Sequence, residues 1–205
     1  TSTLRSVHFY NTNAGVIVGD GITLYTTNGG TTWAKGSGTG SSILNSVQML
    51  STSNAVAVGM SSSFTSGLIY KTTDGGANWT AKPITGTARP LNSVSFSGAS
   101  NGYAVGGNYS IGQAGSIIRT TDGGENWEAN SASIPTVLTG VAIQGGDKLV
   151  TTGYSGNIRR NTVNIWTDPI NTVASGLATV TSGTTNMLSS VAFAPGSTTG
   201  FVGGY

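Results

Sequence analysis

Short runs of alternating apolar and polar residues recur along this chain in a fixed order. Leu4-Arg-Ser-Val-His-Phe9 returns as Leu44-Asn-Ser-Val-Gln-Met49 and Leu91-Asn-Ser-Val-Ser-Phe96, and more weakly as Leu138-Thr-Gly-Val-Ala-Ile143 and Leu188-Ser-Ser-Val-Ala-Phe193. A second run follows most of these: Val16-Ile-Val-Gly19, Ala55-Val-Ala-Val-Gly59, Tyr103-Ala-Val-Gly106 and Gly200-Phe-Val-Gly203. Alternation of period two, bounded by glycine and polar turn residues, predicts β-strands with one buried face. No window sustains a helical period.

A third landmark ends in tryptophan. Trp33, Trp79, Trp127 and Trp166 are separated by 46, 48 and 39 residues. The preceding segments are Tyr25-Thr-Thr-Asn-Gly-Gly-Thr-Thr-Trp33, Lys71-Thr-Thr-Asp-Gly-Gly-Ala-Asn-Trp79 and Arg119-Thr-Thr-Asp-Gly-Gly-Glu-Asn-Trp127. The fourth, Ile158-Arg-Arg-Asn-Thr-Val-Asn-Ile-Trp166, keeps Asn161 and Trp166 in register but has lost both glycines. Threonines suit the incoming strand, Asp or Asn caps a turn with its side chain, and the glycines supply the positive φ that a tight hairpin demands. Four strand-like runs per ~40–50 residues define a propeller blade. The fold expected is an all-β propeller with about four and a half blades, in units 4–43, 44–90, 91–137, 138–187 and an incomplete 188–205.

The turn segments resemble the Asp-box, Ser/Thr-x-Asp-x-Gly-x-x-Trp, of the bacterial neuraminidase repeat. Thr72, Asp74, Gly76 and Trp79 match it, as do Thr120, Asp122, Gly124 and Trp127, and the first unit differs only by Asn28 before Trp33. With its Leu-x-Ser-Val and Val-Gly runs, the whole unit most resembles the repeats of photosystem II stability/assembly factor proteins. The resemblance implies a propeller whose boxes are structural turns, and an arginine patch that contacts a protein partner. Tyr25, Lys71 and Arg119 share one place before successive boxes, Arg159 or its neighbour continues the series, and together they form the candidate basic stripe. Asp-boxes also occur in sialidases, xyloglucan hydrolases and sortilin-type receptors, so the resemblance alone assigns no activity.

Composition narrows the function classes. Of the 205 residues only 8% are charged, against a usual ~25%, and the net charge is +2. Basic residues are scattered, and Arg159–Arg160 is the only adjacent pair, so nucleic-acid binding is not expected. There is no cysteine and one histidine, His8, which leaves no expected metal site or cofactor. No apolar stretch reaches the ~18 residues of a membrane helix. A neutral, hydrogen-bonding surface fits an exported protein: extracellular, at the cell surface, or periplasmic or lumenal.

An enzymatic reading needs paired carboxylates facing one another across a substrate. The two glutamates, Glu125 and Glu128, flank the third box, and Asp20, Asp147 and Asp168 sit in turn or loop contexts. No catalytic residue is therefore expected. Recognition is expected where loops vary on a constant scaffold. The connection between second and third strands grows from Gly19-Asp20-Gly21 to Met60–Gly67 and Gly107–Gly115. Phe64 and Tyr109 tip these loops, with Asn108 and Gln113 beside them and Arg89 on the flanking link. The expected function is a non-enzymatic scaffold binding a protein or glycan there. The alternative is a portion of an Asp-box glycoside hydrolase, sialidase- or xyloglucanase-like, with its catalytic residues elsewhere. The fifth unit stops after its second strand, and the expected reason is a truncated chain. Completion by another chain, and hence self-association, is the other expectation.

Overall fold

A computed structural model of the chain describes residues 2–205 except 88, 109–112, 132–133 and 195–198. Its regular structure is nearly all strand, in successive and mainly antiparallel sheets. Blade 1 comprises β1 (Leu4–Phe9), β2 (Gly15–Gly19), β3 (Thr23–Thr26) and β4 (Ala34–Lys35). Blade 2 comprises β5 (Ile43–Met49), β6 (Ala55–Met60), β7 (Gly67–Thr72) and β8 (Thr80–Ala81). After β9 (Ile84–Thr85) come β10 (Leu91–Ser97), β11 (Asn101–Asn108), β12 (Gln113–Thr120) and β13 (Trp127–Ala129) of blade 3. Blade 4 holds β14 (Leu138–Gln144), β15 (Lys148–Gly153), β16 (Ile158–Asn161), a short helix α1 (Ile170–Ser175) and β17 (Leu177–Val180). The last sheet pairs β18 (Leu188–Phe193) with β19 (Gly200–Gly204).

The blades pack face to face in chain order, and three apolar clusters fill the joints. Val16 and Val18 of β2 meet Leu44, Val47, Met49 and Trp79 of the next blade. Val56 and Val58 meet Leu91, Val94, Phe96 and Trp127. Tyr103 and Val105 meet Leu138, Val141, Ile165 and Leu177. The two faces of each blade are thus both apolar, which is why β6 reads as a continuous buried run from Ala55 to Gly59. In blade 1 the equivalents Leu4, Val7 and Phe9 are exposed, as is Phe201 of β19.

The first strand of each blade has one edge without a ladder partner, and the preceding blade's side chains satisfy it. Ser6 Oγ and His8 Nδ1 accept the amides of Val47 and Met49, both at 3.3 Å. Ser46 Oγ and Gln48 Oε1 accept those of Val94 (3.3 Å) and Phe96 (2.9 Å), and Ser93 Oγ accepts that of Val141 (3.3 Å). Edge carbonyls are covered from the same side. Asn45 Nδ2 donates to Leu91 O and Asn92 Nδ2 to Leu138 O, both at 2.8 Å, and the Thr139 hydroxyl donates to Leu188 O. The Leu-x-Ser-Val signature is thereby explained: leucine and valine fill the joint, while the serine reaches the next blade's backbone.

The outer edges of blades 2 and 3 are covered by the links that precede them. β9 runs parallel to β13, pairing Ile84 with Trp127 and Thr85 with Glu128. The link from blade 1 does likewise through Ser37, which accepts the Trp79 amide and donates to Ala77 O, both at 2.9 Å. From the third link, the Ser131 amide donates to Asn171 Oδ1 on α1 at 2.7 Å.

Blade 4 differs from expectation. Its outer strand does not begin at Trp166; α1 intervenes and β17 closes the sheet. Without the two glycines the tight box hairpin cannot form. Ile170, Val173 and Ala174 instead bury a helical face against blade 3, followed one turn later by Leu177. The spacing of these four residues is the helical signal, confined to a segment too short to stand out in the sequence.

Two stability changes follow. Neutral His8 is required as an acceptor, and burial lowers its pKa below the usual value near 6.5. Unfolding therefore takes up protons, so this contribution is complete above about pH 6.5 and erodes as pH falls towards the folded pKa. Melting temperature measured from pH 7.5 to 5 should show this loss, and His8→Gln, which copies Gln48, should flatten it. Separately, a Cβ at Gly76, where φ is +107°, would stand 2.9 Å from both Val16 Cγ1 and Tyr25 Cβ of blade 1. Gly76→Ala should cost about 2 kcal/mol in denaturant unfolding.

Candidate functional site

Each blade has two ends, and the box turns occupy one of them. In the second box the Thr72 hydroxyl donates to Asp74 Oδ1 at 2.8 Å and accepts the Gly76 amide at 3.1 Å. Asp74 accepts the Asn78 backbone amide at 2.9 Å and side-chain amide at 2.8 Å, and Trp79 Nε1 donates to Gly76 O at 3.0 Å. Thr120, Asp122, Gly124, Asn126 and Trp127 repeat this set in the third box. Asn28 does so in the first, its amide donating to Thr32 Oγ1 at 2.9 Å. The first box glycine of each turn also ties it to the preceding hairpin, Gly29 to Asn13 O, Gly75 to Ser53 O and Gly123 to Ser100 O. Rings then brace the inner strand: Trp33 meets Phe9 edge-on at 5.9 Å and Trp127 meets Phe96 at 5.8 Å.

The box carboxylates are therefore acceptors inside their own turns. Amide donors from Asn78, backbone first, hold Asp74 below the usual carboxylate range. For Asp122, burial acts upwards, but donors from Asn126, Thr120 and Glu125 outweigh it and bring the value to about 2. The fourth turn departs from this scheme. Asn161 Oδ1 accepts the Leu149 amide at 2.8 Å, and Trp166 Nε1 donates to Gly146 O instead of to its own turn. Tyr103 of blade 3 donates to Ile165 O, and its ring lies 5.4 Å from that of Trp166.

The residues before the boxes do not form an exposed basic stripe. Lys71, with its side chain only 10% exposed, pairs with Glu125 of the next box at 2.7 Å, and Lys82 joins it at 2.6 Å. Arg119, 12% exposed, donates to Ile165 O (3.1 Å), Trp166 O (3.4 Å) and Asp168 O (2.7 Å) and pairs with Glu128. Arg159 donates to Leu177 O at 3.2 Å. These cations serve as joints between or within blades because they sit under a neighbouring turn whose carbonyls and carboxylate need donors.

The other end carries a cavity of about 540 Å³. Met60, Ser63 and Phe64 come from the β6–β7 connection, and Asn92, Gly107 and Asn108 from blade 3. Val137, Thr139 and Tyr154 come from blade 4, and Met187 precedes β18. Four consecutive blades thus meet at one opening. Phe64 has a positive φ of 62° and is 48% exposed, so it is presented and not tucked into its loop. The strained position is held by the Phe64 amide donating to Ser61 O at 2.9 Å and by Asn108 Nδ2 donating to Phe64 O at 3.3 Å.

Of the residues singled out in the sequence, Phe64 and Asn108 line this cavity together. Arg89 does not; it donates to Gly115 O at 3.4 Å. Tyr109 lies outside the described residues, and Gln113 is described by its backbone alone, which pairs with Asn108. Sequence reasoning missed Met60, Asn92, Val137, Thr139, Tyr154 and Met187. Asn92 and Thr139 occupy the variable place of Leu-x-Ser-Val and were legible from the repeat; the others become neighbours only when blades pack.

A smaller recess of about 360 Å³ beside the third box includes Arg119, Asp122 and Glu128. Its carboxylates are already engaged, Asp122 within the turn and Glu128 with Arg119. Among the described residues no group of three or more His, Asp or Glu is placed to hold a metal ion, and no helix is long and apolar enough to cross a membrane.

Four-stranded sheets packed blade on blade, each of the second and third closed by a Thr-Asp-Gly-Gly hairpin between its last two strands, define a β-propeller fold. Solved structures carry the same fold. One described as YCF48 bound to D1 peptide matches with TM-score 0.64 and 20% identity, over 99% of this chain and 61% of that one. YCF48 from Cyanidioschyzon merolae matches with TM-score 0.63 and 18% identity, over 94% and 60%. An ancestral GH74 enzyme matches with TM-score 0.64 and 17% identity, over 86% and 25%. The chain thus spans about three-fifths of the length of the YCF48 structures. No family model and no curated protein matches the sequence.

The depressed carboxyls of Asp74 and Asp122 contribute stability that is complete above about pH 4 and is lost as pH falls towards 2. The urea midpoint should fall over that interval, and the Asp74→Asn/Asp122→Asn pair, which copies Asn28, should weaken the fall while keeping the fold at pH 7.

Proposed function

We propose that this chain is a non-enzymatic scaffold that binds a protein segment at the cavity end of its blades. The observation that carries this reading is the convergence of four blades on one opening with a half-exposed, strained Phe64 at its rim. Strain kept in a loop that Asn108 of the next blade holds in place suits recognition, where an aromatic anchor contributes most. The chemistry of the carboxylates supports it too. Asp20 pairs with Arg5, Glu125 with two lysines, Glu128 with Arg119 and Asp147 with Lys148, and Asp168 accepts the Asn164 amide. Asp74 and Asp122 cap their turns, and none of the seven carboxylates lines the cavity. The YCF48 neighbour described with a bound peptide supports a protein partner for this fold. Exported localisation remains part of the proposal, resting on the sparsely charged surface.

The test is a pair of arrays, one of peptides and one of glycans, probed with the labelled protein. Binding to a defined set of peptides that weakens at least tenfold in Phe64→Ala, with melting temperature unchanged, is the expected result. Peptide binding indifferent to Phe64, or turnover of generic sialoside or β-glucan substrates, would overturn the proposal.

A further inference from the structure

Four of the polar side chains on the cavity wall are already engaged. Asn92 Nδ2 donates to Leu138 O at 2.8 Å and to Gly107 O at 3.4 Å. The Thr139 hydroxyl donates to Leu188 O, and Asn108 Nδ2 to Phe64 O at 3.3 Å. Ser63 Oγ sits in a hydroxyl chain between Ser61 (2.9 Å) and Thr65 (3.0 Å). These are the bonds that hold one blade to the next or order the β6–β7 connection. A guest that drew on them would do so at the expense of the scaffold.

The rest of the wall is apolar but for the half-buried Tyr154, whose ring adds apolar surface beside its hydroxyl. Met60, Phe64, Val137 and Met187 surround the opening, and no Asp, Glu, Lys, Arg or His is among the lining residues. A charged guest would lose its hydration there and meet no opposite charge. A sugar would bring several hydroxyls into a wall where Asn92, Asn108 and Thr139 already donate within the scaffold, and each unmatched hydroxyl would cost free energy. An apolar side chain suffers neither penalty. The two methionines add adaptability, since their unbranched, polarisable side chains reshape around differing guests. A volume of about 540 Å³ lies within the ~300–1,000 Å³ of ordinary ligand sites, enough for a large side chain with adjoining backbone.

We infer that the cavity receives an uncharged aromatic or long aliphatic side chain of a protein segment, with Met60, Phe64, Val137 and Met187 as its walls. The inference rests on the protein-binding reading above and adds the chemical class of the guest. The neutral wall matches a neutral segment, so selectivity comes from exclusion of charge and of hydroxyl-rich ligands more than from hydrogen-bond readout.

Saturation-transfer NMR on the intact chain tests this with N-acetyl-tryptophanamide and N-acetyl-leucinamide as apolar probes. N-acetyl-lysinamide and the α-amide of N-acetylaspartic acid, with its side-chain carboxylate free, serve as charged probes, and methyl glucoside and the anionic methyl sialoside as sugars. The apolar amides should show transfer at millimolar concentration, at least tenfold stronger than the others. That transfer should be lost in Phe64→Ala and in Met187→Lys, while melting temperature and the indole signals of Trp79 and Trp127 stay in place. Equal or stronger transfer to a charged probe or a sugar, no transfer to any probe, or apolar transfer that survives both variants would each overturn the inference. The arrays separate this failure from that of the parent reading. Phe64-dependent binding of charged peptides would leave the protein-binding face standing and remove only the guest assigned here.

Discussion

The structure depends on how a blade treats the bare edge of its neighbour's first strand. A sheet packed face to face against another still leaves one row of backbone amides and carbonyls without ladder partners, and such rows are costly if buried and adhesive if exposed. Here the side chains of the preceding blade supply the missing partners. Ser6, His8, Ser46, Gln48 and Ser93 take the amides, and Asn45, Asn92 and Thr139 serve the carbonyls. Packing of leucine, valine and aromatic side chains provides most of the joint's apolar burial, but it is not directional. The hydrogen bonds set the register of one blade on the next, because a shift of one residue would turn each serine away from its amide.

The same economy of roles shapes the box end. The box glycines are small because the preceding blade's second strand lies against them: Gly76 on Val16 and Gly124 on Val56. At the third joint, between blades 3 and 4, the second strand carries Tyr103 where the others carry valine, and the opposing segment has no box glycine. The larger ring occupies the space a glycine turn would take, and its hydroxyl and Arg119 bond the carbonyls of the segment that replaces it. The degenerate fourth box is thus a matched exchange across one joint. Repeat degeneration on one blade and a bulky residue on its neighbour are a single event in structural terms.

Much of this was readable from the chain. Alternating runs, the Thr-Asp-Gly-Gly turns and the recurring tryptophans specify strands, hairpins and blades, since each is a local pattern. The functions of Lys71 and Arg119 were not legible, because nothing in their sequence context shows that the next blade's turn lies above them. Helix α1 was hidden for a different reason: six residues bearing three buried side chains are too few to display a period. At the cavity, Phe64 and Asn108 were found because they sit in loops that lengthen from blade to blade. Met60 opens the same lengthened loop as Phe64, whereas Val137, Tyr154 and Met187 sit in unremarkable stretches, and only the stacking of four blades makes them a wall.

The links along the outer rim have a bearing on how the chain is made. β9 covers the edge of β13, and Ser37 covers the edge at Asn78; in each case the covering segment precedes the covered blade in the sequence. During synthesis from the N-terminus, the strip that closes each of these two outer edges therefore exists before that edge does. At blades 2 and 3 the rim strand need not wait unprotected for later sequence. The order of elements along the chain thus provides protection against misassociation on the ribosome, at a stage when stability of the finished fold offers none.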